Sequence, residues 1–144
     1  MEKMILKGRK VVGGYAEGEA MVTRGTISGW GGTNPITGYI LDGSSELRGQ
    51  CFTDKILVYR GAKGSSGWSY SFHLAKENKT APSAMLFNEM TTKVALGTVC
   101  MNIPAMTDFE EDPLTLIESG DSVRVFADEG YIEITKGQKK EERK

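Results

Sequence analysis

The sequence predicts a single domain of the α+β class, and three observations lead to this prediction. The chain has 144 residues, the usual length of one domain. It contains 18 glycines, many of them in clusters, and such clusters mark tight turns between short strands. Stretches of the second half instead carry apolar residues at helical spacing. These features together predict a strand-rich first half, followed by alternating strands and helices.

The first half of the chain has the pattern of strands. Residues 10–25 alternate apolar and polar side chains around glycines, which is the period of a half-buried strand. Residues 38–42 (GYILD) follow an NPITG turn and predict a short strand. Residues 55–59 (KILVY) form a nearly continuous apolar run, which predicts a strand buried on both faces.

The second half predicts helices between strands. Residues 68–78 (WSYSFHLAKEN) place apolar side chains on one helical stripe. A short helix ending near Gly97 is predicted within residues 89–98, and another within residues 112–120, where a proline stands at a helix-start position. Further strands are predicted at the remaining apolar runs, which are residues 83–87, 100–104, 122–127 and 129–134.

Charge and composition exclude several classes of partner. The chain has 18 basic and 19 acidic residues, so no global field attracts nucleic acid or a membrane surface. Its apolar runs are far shorter than a membrane span, and its first residues lack the apolar region of a signal peptide. We therefore expect a cytoplasmic protein that binds neither nucleic acid nor membrane. Residues 136–144 are highly charged and predict a disordered tail, which leaves residues 1–135 as the domain.

The two cysteines do not form a metal motif. Cys51 and Cys100 show none of the paired spacings of a zinc site, and two cysteines are too few for the four-cysteine ligation of an iron–sulfur cluster. In a reducing compartment free thiols are expected. We therefore expect both to be buried as small apolar side chains.

The most informative segment is VYRGAKGSSGW, residues 58–68, which joins a predicted strand to a predicted helix. Ser65 or Ser66 is placed to cap the helix. The unpaired N–H groups and partial positive charge of a helix start also favour a bound anion or a serine alkoxide. Ser65 is therefore a candidate base, and Lys63 could add positive charge. The residues alone leave both interpretations open.

Other chemistries fit this segment less well. Lys63 is separated from the serines by a glycine, so the order differs from that of a Walker A loop. The single histidine, His73, lies about two turns into the predicted helix and is expected at the helix surface or the edge of the core. A phosphohistidine-carrying swivel domain needs its histidine at the helix start, which argues against that class.

A second glycine cluster lies in ISGWGGTNP, residues 27–35. Glycines around Trp30, including Gly31 and Gly32, would let a loop approach a ligand closely. A hairpin loop with a packed tryptophan explains the same residues equally well.

Five segments, in order from Gly13 to Ile134, resemble the small-subunit or swivel-domain family of the aconitase X enzymes. These segments are GGYAEGEAMVTRGTISGWGGTNPITGYI, KILVYRGAKGSSGWS, KTAPSAML, VALGTVCMNIPAM and GDSVRVFADEGYIEI. The resemblance implies a single swivelling β/β/α domain of the aconitase small-subunit type, which serves as the small subunit of a dehydratase. A larger aconitase X subunit would hold the iron–sulfur cluster or iron.

The resemblance also implies roles for individual residues. Across the aconitase superfamily, the first serine of a Gly-Ser-Ser turn takes a proton from carbon, and Ser65 holds that position here. The residues expected to contact the substrate are Gly64, Ser66, Lys63, Gly31 and Gly32. Gly67 stands where aconitase has an arginine that binds a substrate carboxylate, so that contact must come from elsewhere.

The activities that the resemblance implies include dehydration of cis-3-hydroxy-L-proline in bacteria and of a mevalonate phosphate in archaea. Archaeal members commonly have phenylalanine-proline before the glycine turn, whereas Tyr59 and Arg60 stand here. The sequence therefore favours cis-3-hydroxy-L-proline, with the small subunit of phosphomevalonate dehydratase as the alternative. A non-catalytic ligand-binding or assembly module, in which Ser65 only caps a helix, is an alternative of another class.

Overall fold

The computed structural model describes residues 3–29, 32–63 and 67–137. These residues form a mixed sheet with few helices, which confirms the predicted α+β class. The helices are α1 Gly67–Glu77, α2 Thr92–Met101 and α3 Pro113–Leu116. The strands are β1 Lys3–Lys7, β2 Arg9–Val12, β3 Tyr15–Val22, β4 Thr26–Ser28, β5 Thr33–Asn34, β6 Tyr39–Ile40, β7 Ile56–Tyr59, β8 Gly61–Lys63, β9 Ala84–Phe87, β10 Ala105–Thr107, β11 Ser122–Phe126 and β12 Tyr131–Thr135.

The main sheet is curled, and its strand order shows why. The order is β1-β12-β11-β3-β7-β9-β10-β2, so β1 and β2 are its two edges. Only Gly8 separates these two strands along the chain, so the edges must lie close together. A Cβ atom on Gly8 would be 2.6 Å from Cδ1 of Phe109, which explains the glycine at this junction. The other described strands form two smaller sheets, β4-β8 and β5-β6.

The centre of the main sheet consists of parallel strands joined by helical crossovers. The second half of β3 pairs in parallel with β7, and β7 pairs in parallel with β9. Strand β10 extends this parallel set beside β9. Parallel neighbours need a long crossover connection. Here α1 lies on the connection from β7 to β9, and α2 lies on the connection from β9 to β10.

Strand β7 is buried at all four positions, as its continuous apolar run predicts. Ile56 and Val58 pack in one cluster with side chains of β11 and β12. Leu57 and Tyr59 pack in a second cluster with side chains of α1 and α2. The sheet therefore has a buried face on each side, and a strand in this place cannot alternate apolar and polar residues.

The prediction of a strand over residues 100–104 is wrong. Cys100 and Met101 are the last residues of α2, and Asn102 caps this helix in the left-handed conformation, with φ 53°. Strand β10 begins only after Pro104. Gly97 does not end the helix but lies inside it. A glycine is needed at this position because the ring of Trp68 packs against its backbone.

Helix α3 begins where its proline predicts but is shorter than expected. The carboxylate of Asp112 accepts a hydrogen bond of 2.9 Å from the backbone N–H of Leu114 and so caps the helix start. The helix ends at Leu116, because Ile117 has an extended backbone. Gly120, with φ +98°, therefore belongs to the turn before β11 rather than to the helix end.

The environments of the two cysteines differ from the expectation. Both are free thiols, but Cys51 is only half-buried and Cys100 is exposed on α2. Cys100 therefore does not serve as a buried apolar side chain. His73 is half-buried on α1, in agreement with its predicted place at the edge of the core.

The predicted boundary between domain and tail, at residue 135, stays a prediction. Lys136 donates hydrogen bonds to the carboxylate of Asp121, at 2.7 Å, and to the carbonyl of Leu116, at 3.0 Å. The backbone N–H of Gly137 donates to the same carboxylate. Residues 138–144 lie outside the described residues.

Candidate active site at the β8–α1 turn

The sequence predicts a glycine-serine turn between the strand at residues 55–59 and the following helix, but the structure has a further strand, β8, at Gly61–Lys63. Residues 64–66 connect β8 to α1 and lie outside the described residues. Lys63, the last residue of β8, pairs in parallel register with Ser28, the last residue of β4. Gly67 is the first residue of α1. Residues 64–66 must therefore connect the end of β8 to the start of α1.

The predicted site residues are only partly covered by the structure. Gly64, Ser65, Ser66 and Gly31 lie outside the described residues. The backbone of Lys63 belongs to β8, and Gly32 directly precedes β5. The predicted role of Ser65 as a base and the predicted substrate contacts therefore stay predictions.

Trp68 anchors the start of α1. Its side chain is fully buried, and its Nε1–H donates a hydrogen bond of 2.9 Å to the carbonyl of Ile27 in β4. Its ring centroid lies 4.6 Å from that of Phe72 and 6.4 Å from that of Tyr59. The position of the helix start, immediately after the turn, is therefore set by a large buried ring with a satisfied donor.

Two glycines make room for this ring. A Cβ atom on Gly29 would be 2.6 Å from the Cα of Trp68, and one on Gly97 would be 2.4 Å from its Cζ3. Real Cβ atoms essentially never approach so closely. Both glycines are therefore explained by packing against Trp68, although Gly29 belongs to the cluster that also predicted close approach to a ligand.

Gly31 and Gly32 are the remaining glycines of that cluster, and only Gly32 lies within the described residues. A Cβ atom on Gly32 would be 2.3 Å from the Cβ of Ser28, so the tight path of the loop itself requires glycine here. Trp30 and Gly31 lie outside the described residues. For Gly32 the structure supports a packing role, and a substrate contact stays a prediction.

Two buried hydroxyl groups connect this loop to α1. The Oγ1 of Thr33 lies 3.3 Å from the Oγ of Ser71 and donates a hydrogen bond of 3.0 Å to the carbonyl of Gly29. Thr33 is 4% exposed and Ser71 is 1% exposed. Neither residue was predicted from the sequence. The sequence feature that could have indicated Ser71 is its spacing, since it follows Trp68 by three residues and so lies on the same buried side of the helix.

Tyr59 packs against Trp68 but is not an acid–base candidate. It is fully buried at the end of β7, and burial raises the pKa of its hydroxyl well above the ordinary value. Its hydroxyl donates to the Sδ of Met85 at 3.2 Å. Tyr59 therefore stays neutral and acts as a packing partner of Trp68.

Glu46 holds the loop after β6 against the end of β3. Its carboxylate accepts hydrogen bonds from the hydroxyl of Thr23, at 2.6 Å, and from the backbone N–H of Arg24, at 2.8 Å. These two donors lower the pKa of Glu46. The carboxylate is thus occupied with holding the loop.

No metal centre is built from the described residues. Within residues 3–29, 32–63 and 67–137, no group of three or more His, Cys, Asp or Glu side chains is placed to hold a metal ion. In the same parts of the chain, no helix is long and apolar enough to cross a membrane.

A curled mixed sheet with two crossover helices, and a Gly-Ser-Ser segment directly before α1 in the sequence, is the combination expected of one class of protein, the swivel domains of aconitase-type dehydratases. Residues 5–134 match the aconitase X swivel domain family, and the chain belongs to that family. The resemblance seen in the sequence is thereby confirmed, together with the fold that it implied.

Relatives with assigned names agree with this family. The chain is 43% identical to the phosphomevalonate dehydratase small subunit of Thermococcus kodakarensis, over 91% of this chain and 96% of that one. It is 38% identical to the phosphomevalonate dehydratase small subunit of Methanosarcina mazei, over 90% of each chain. The chain is therefore a small subunit of an aconitase X-type dehydratase, as predicted.

Solved structures show the same fold. The crystal structure of Thermococcus kodakaraensis aconitase X in its holo-form superposes with a TM-score of 0.87 and 41% identity, covering 92% of this chain and 99% of that chain. The solution NMR structure of a UPF0107 protein superposes with a TM-score of 0.83 and 34% identity, covering 92% of this chain and 100% of that chain.

Proposed function

We propose that this chain is the small subunit of a phosphomevalonate dehydratase, which removes water from a phosphorylated hydroxy acid together with a larger subunit. The observation that carries this proposal is the name shared by relatives that are 38–43% identical and match this chain over nearly their whole length. It favours the alternative substrate over cis-3-hydroxy-L-proline, which Tyr59 and Arg60 had suggested.

The reaction is divided between the two chains. Aconitase-type dehydratases generally use an iron–sulfur cluster on the large subunit. Such a cluster supplies a Lewis acid for the leaving hydroxyl group of the substrate. The described residues of this chain contain no ligand cluster for a metal. We assign to the small chain the removal of the proton from the neighbouring carbon and the enclosure of the substrate.

Ser65 is proposed as the base that takes this proton. A serine hydroxyl is a weak base at neutral pH, because its alkoxide is strongly basic. N–H groups at the start of α1 would stabilise negative charge on Ser65, and they do so best where water is excluded. The proton passes to Ser65 Oγ, the C–H electron pair forms the carbon–carbon double bond, and the C–O bond breaks so that the hydroxyl group leaves as hydroxide. Return of the proton from Ser65 Oγ to this hydroxide, through solvent, gives water and restores the base.

The neighbouring residues of the turn are proposed to hold the substrate. Gly64 and Ser66 offer backbone N–H groups, and Ser66 also offers a hydroxyl group. Lys63 ends β8 immediately before the turn and would add positive charge for an anionic substrate. The buried anchor at Trp68 supports these roles, because catalytic groups must be held in place by rigid elements.

The substrate assignment is tested by an assay of the reconstituted two-chain enzyme. We expect kcat/KM for phosphomevalonate to exceed that for cis-3-hydroxy-L-proline by on the order of 10³ or more, because a site built for a charged group rejects a ligand that lacks it. Unphosphorylated mevalonate is the matched control for the phosphate group. Preferential turnover of the hydroxyproline would overturn the assignment and restore the first expectation from the sequence.

A further inference from the structure

Two separate connections join α1 to the segment that follows β3. The first is the hydrogen bond from Trp68 Nε1 to the carbonyl of Ile27. The second is the contact between the hydroxyl groups of Ser71 and Thr33. The first involves a residue of the first helical turn and the second a residue near the middle of the helix. The helix is therefore attached to this segment at two points, which opposes rotation as well as translation.

The direction of the second connection follows from counting hydrogen atoms. A hydroxyl group has one hydrogen to donate. Thr33 uses its hydrogen for the carbonyl of Gly29, so Ser71 must donate to Thr33. The result is a directed chain from Ser71 to Thr33 to the Gly29 carbonyl, in which each bond polarises the next.

The Gly29 carbonyl is the end point of several hydrogen bonds. It also accepts from the backbone N–H groups of Gly32 and Thr33, each at 3.0 Å. Gly29 directly follows β4, whose last residue, Ser28, is paired with Lys63 of β8. The same small network therefore holds the helix that follows the serine turn and the strand pair that precedes it.

From this geometry we propose that Thr33 and Ser71 are positioning residues for the serine turn at residues 64–66. The inference rests on the proposed function, in which Ser65 of that turn is the base. Thr33 and Ser71 do not touch the reacting atoms in this account. They fix α1 and the β4–β8 strand pair, the two elements that residues 64–66 connect in the sequence, and a misplacement of about 1 Å in a catalytic group can lower turnover about a hundredfold.

The test is Thr33→Val, which removes the hydroxyl group and keeps the shape of the side chain. In the reconstituted complex we expect kcat to fall about 10- to 100-fold, with KM changed less than about twofold. Thr33→Ser restores the hydroxyl group and should bring kcat back to within about threefold of the wild type. Ser71→Ala removes the same hydrogen bond from the helix side and should lower kcat in the same way. This variant replaces Thr33→Val as the test if the valine variant folds poorly.

Thr53→Val is the matched control. The Thr53 hydroxyl donates a hydrogen bond of 2.9 Å to the carbonyl of Thr80, in the loop before β7 and so at the opposite end of that strand from the turn. This variant loses a comparable hydrogen bond and should leave kcat unchanged. An equal loss of kcat in both valine variants would overturn the proposal, because it would show only general destabilisation.

A second readout does not depend on turnover. Amide hydrogen exchange of Gly32 and Thr33 in the full chain should accelerate about tenfold or more in Thr33→Val and remain unchanged in Thr53→Val. Unchanged kcat in Thr33→Val, while Ser65→Ala abolishes turnover, would overturn this inference alone. Full turnover in Ser65→Ala would instead overturn the proposed base.

Discussion

Ser65→Ala is expected to lower kcat of the reconstituted two-chain enzyme by about 10²–10⁴-fold, the range that a positioned general base contributes. KM should change little, because the substrate keeps its other contacts. The thermodynamic stability of the small chain should fall by no more than about 1 kcal/mol, the usual cost of losing a helix cap. Steady-state kinetics with a fixed amount of iron-loaded large subunit measure the first effect, and urea denaturation measures the second.

The control for this variant is Ser122→Ala, which changes an exposed serine at the start of β11. It should leave both turnover and stability unchanged. A Ser65→Ala complex that assembles normally and keeps its turnover would contradict the catalytic role. In that case the hydroxyl group would be a helix cap, and the chain would act as a ligand-binding or assembly module.

Trp68→Ala is expected to destabilise the small chain by about 3–5 kcal/mol, since it removes a fully buried aromatic side chain from the core. This is a large fraction of the total stability of a typical domain. It also leaves the Ile27 carbonyl without its donor. Urea denaturation of the full chain measures the loss.

The close packing of Trp68 on Gly97 allows this prediction to be tested with a double mutant. Gly97→Ala alone should destabilise the chain by about 1–3 kcal/mol, because the new Cβ would overlap the indole ring. In the Trp68→Ala background the same substitution should stabilise it, by up to about 1 kcal/mol, because alanine is the better helix former. Equal destabilisation in both backgrounds would show that the ring is not the cause.

Elements whose pattern depends on local sequence were predictable. The apolar run of β7 indicated a strand buried on both faces, and that of β9 indicated a strand, and the structure has both. Helix α1 was predicted from its apolar stripe, and the start of α3 from its proline. In these elements the residues that shape the backbone are neighbours along the chain.

Features that depend on distant partners were not predictable. Gly97 was interpreted as a helix end, since nothing near it in the sequence indicates that the ring of Trp68 requires a glycine there. The closure of the sheet at Gly8 depends likewise on strands from both ends of the chain. A glycine that ends a helix and a glycine that admits a ring look the same in a local pattern.

The candidate site shows the same contrast between features set by local sequence and features set by distant partners. The start of α1 directly after the Gly-Ser-Ser motif was predictable, because the motif and the apolar stripe of the helix are adjacent in the sequence. Its support by Thr33 was not, because that contact depends on the folding of the loop after β4 against α1. The substrate was the least predictable feature, since many of the contacts that select it are expected to come from the larger subunit.

The central claim is that this chain is the catalytic partner of a larger, iron-containing dehydratase subunit. The most direct measurement is a titration of the small chain into a fixed amount of that subunit under anaerobic conditions, with phosphomevalonate dehydration as the readout. We expect no turnover from either chain alone and a linear rise in turnover with added small chain, up to saturation at a fixed ratio of the two. Full turnover by the larger subunit alone would contradict the account.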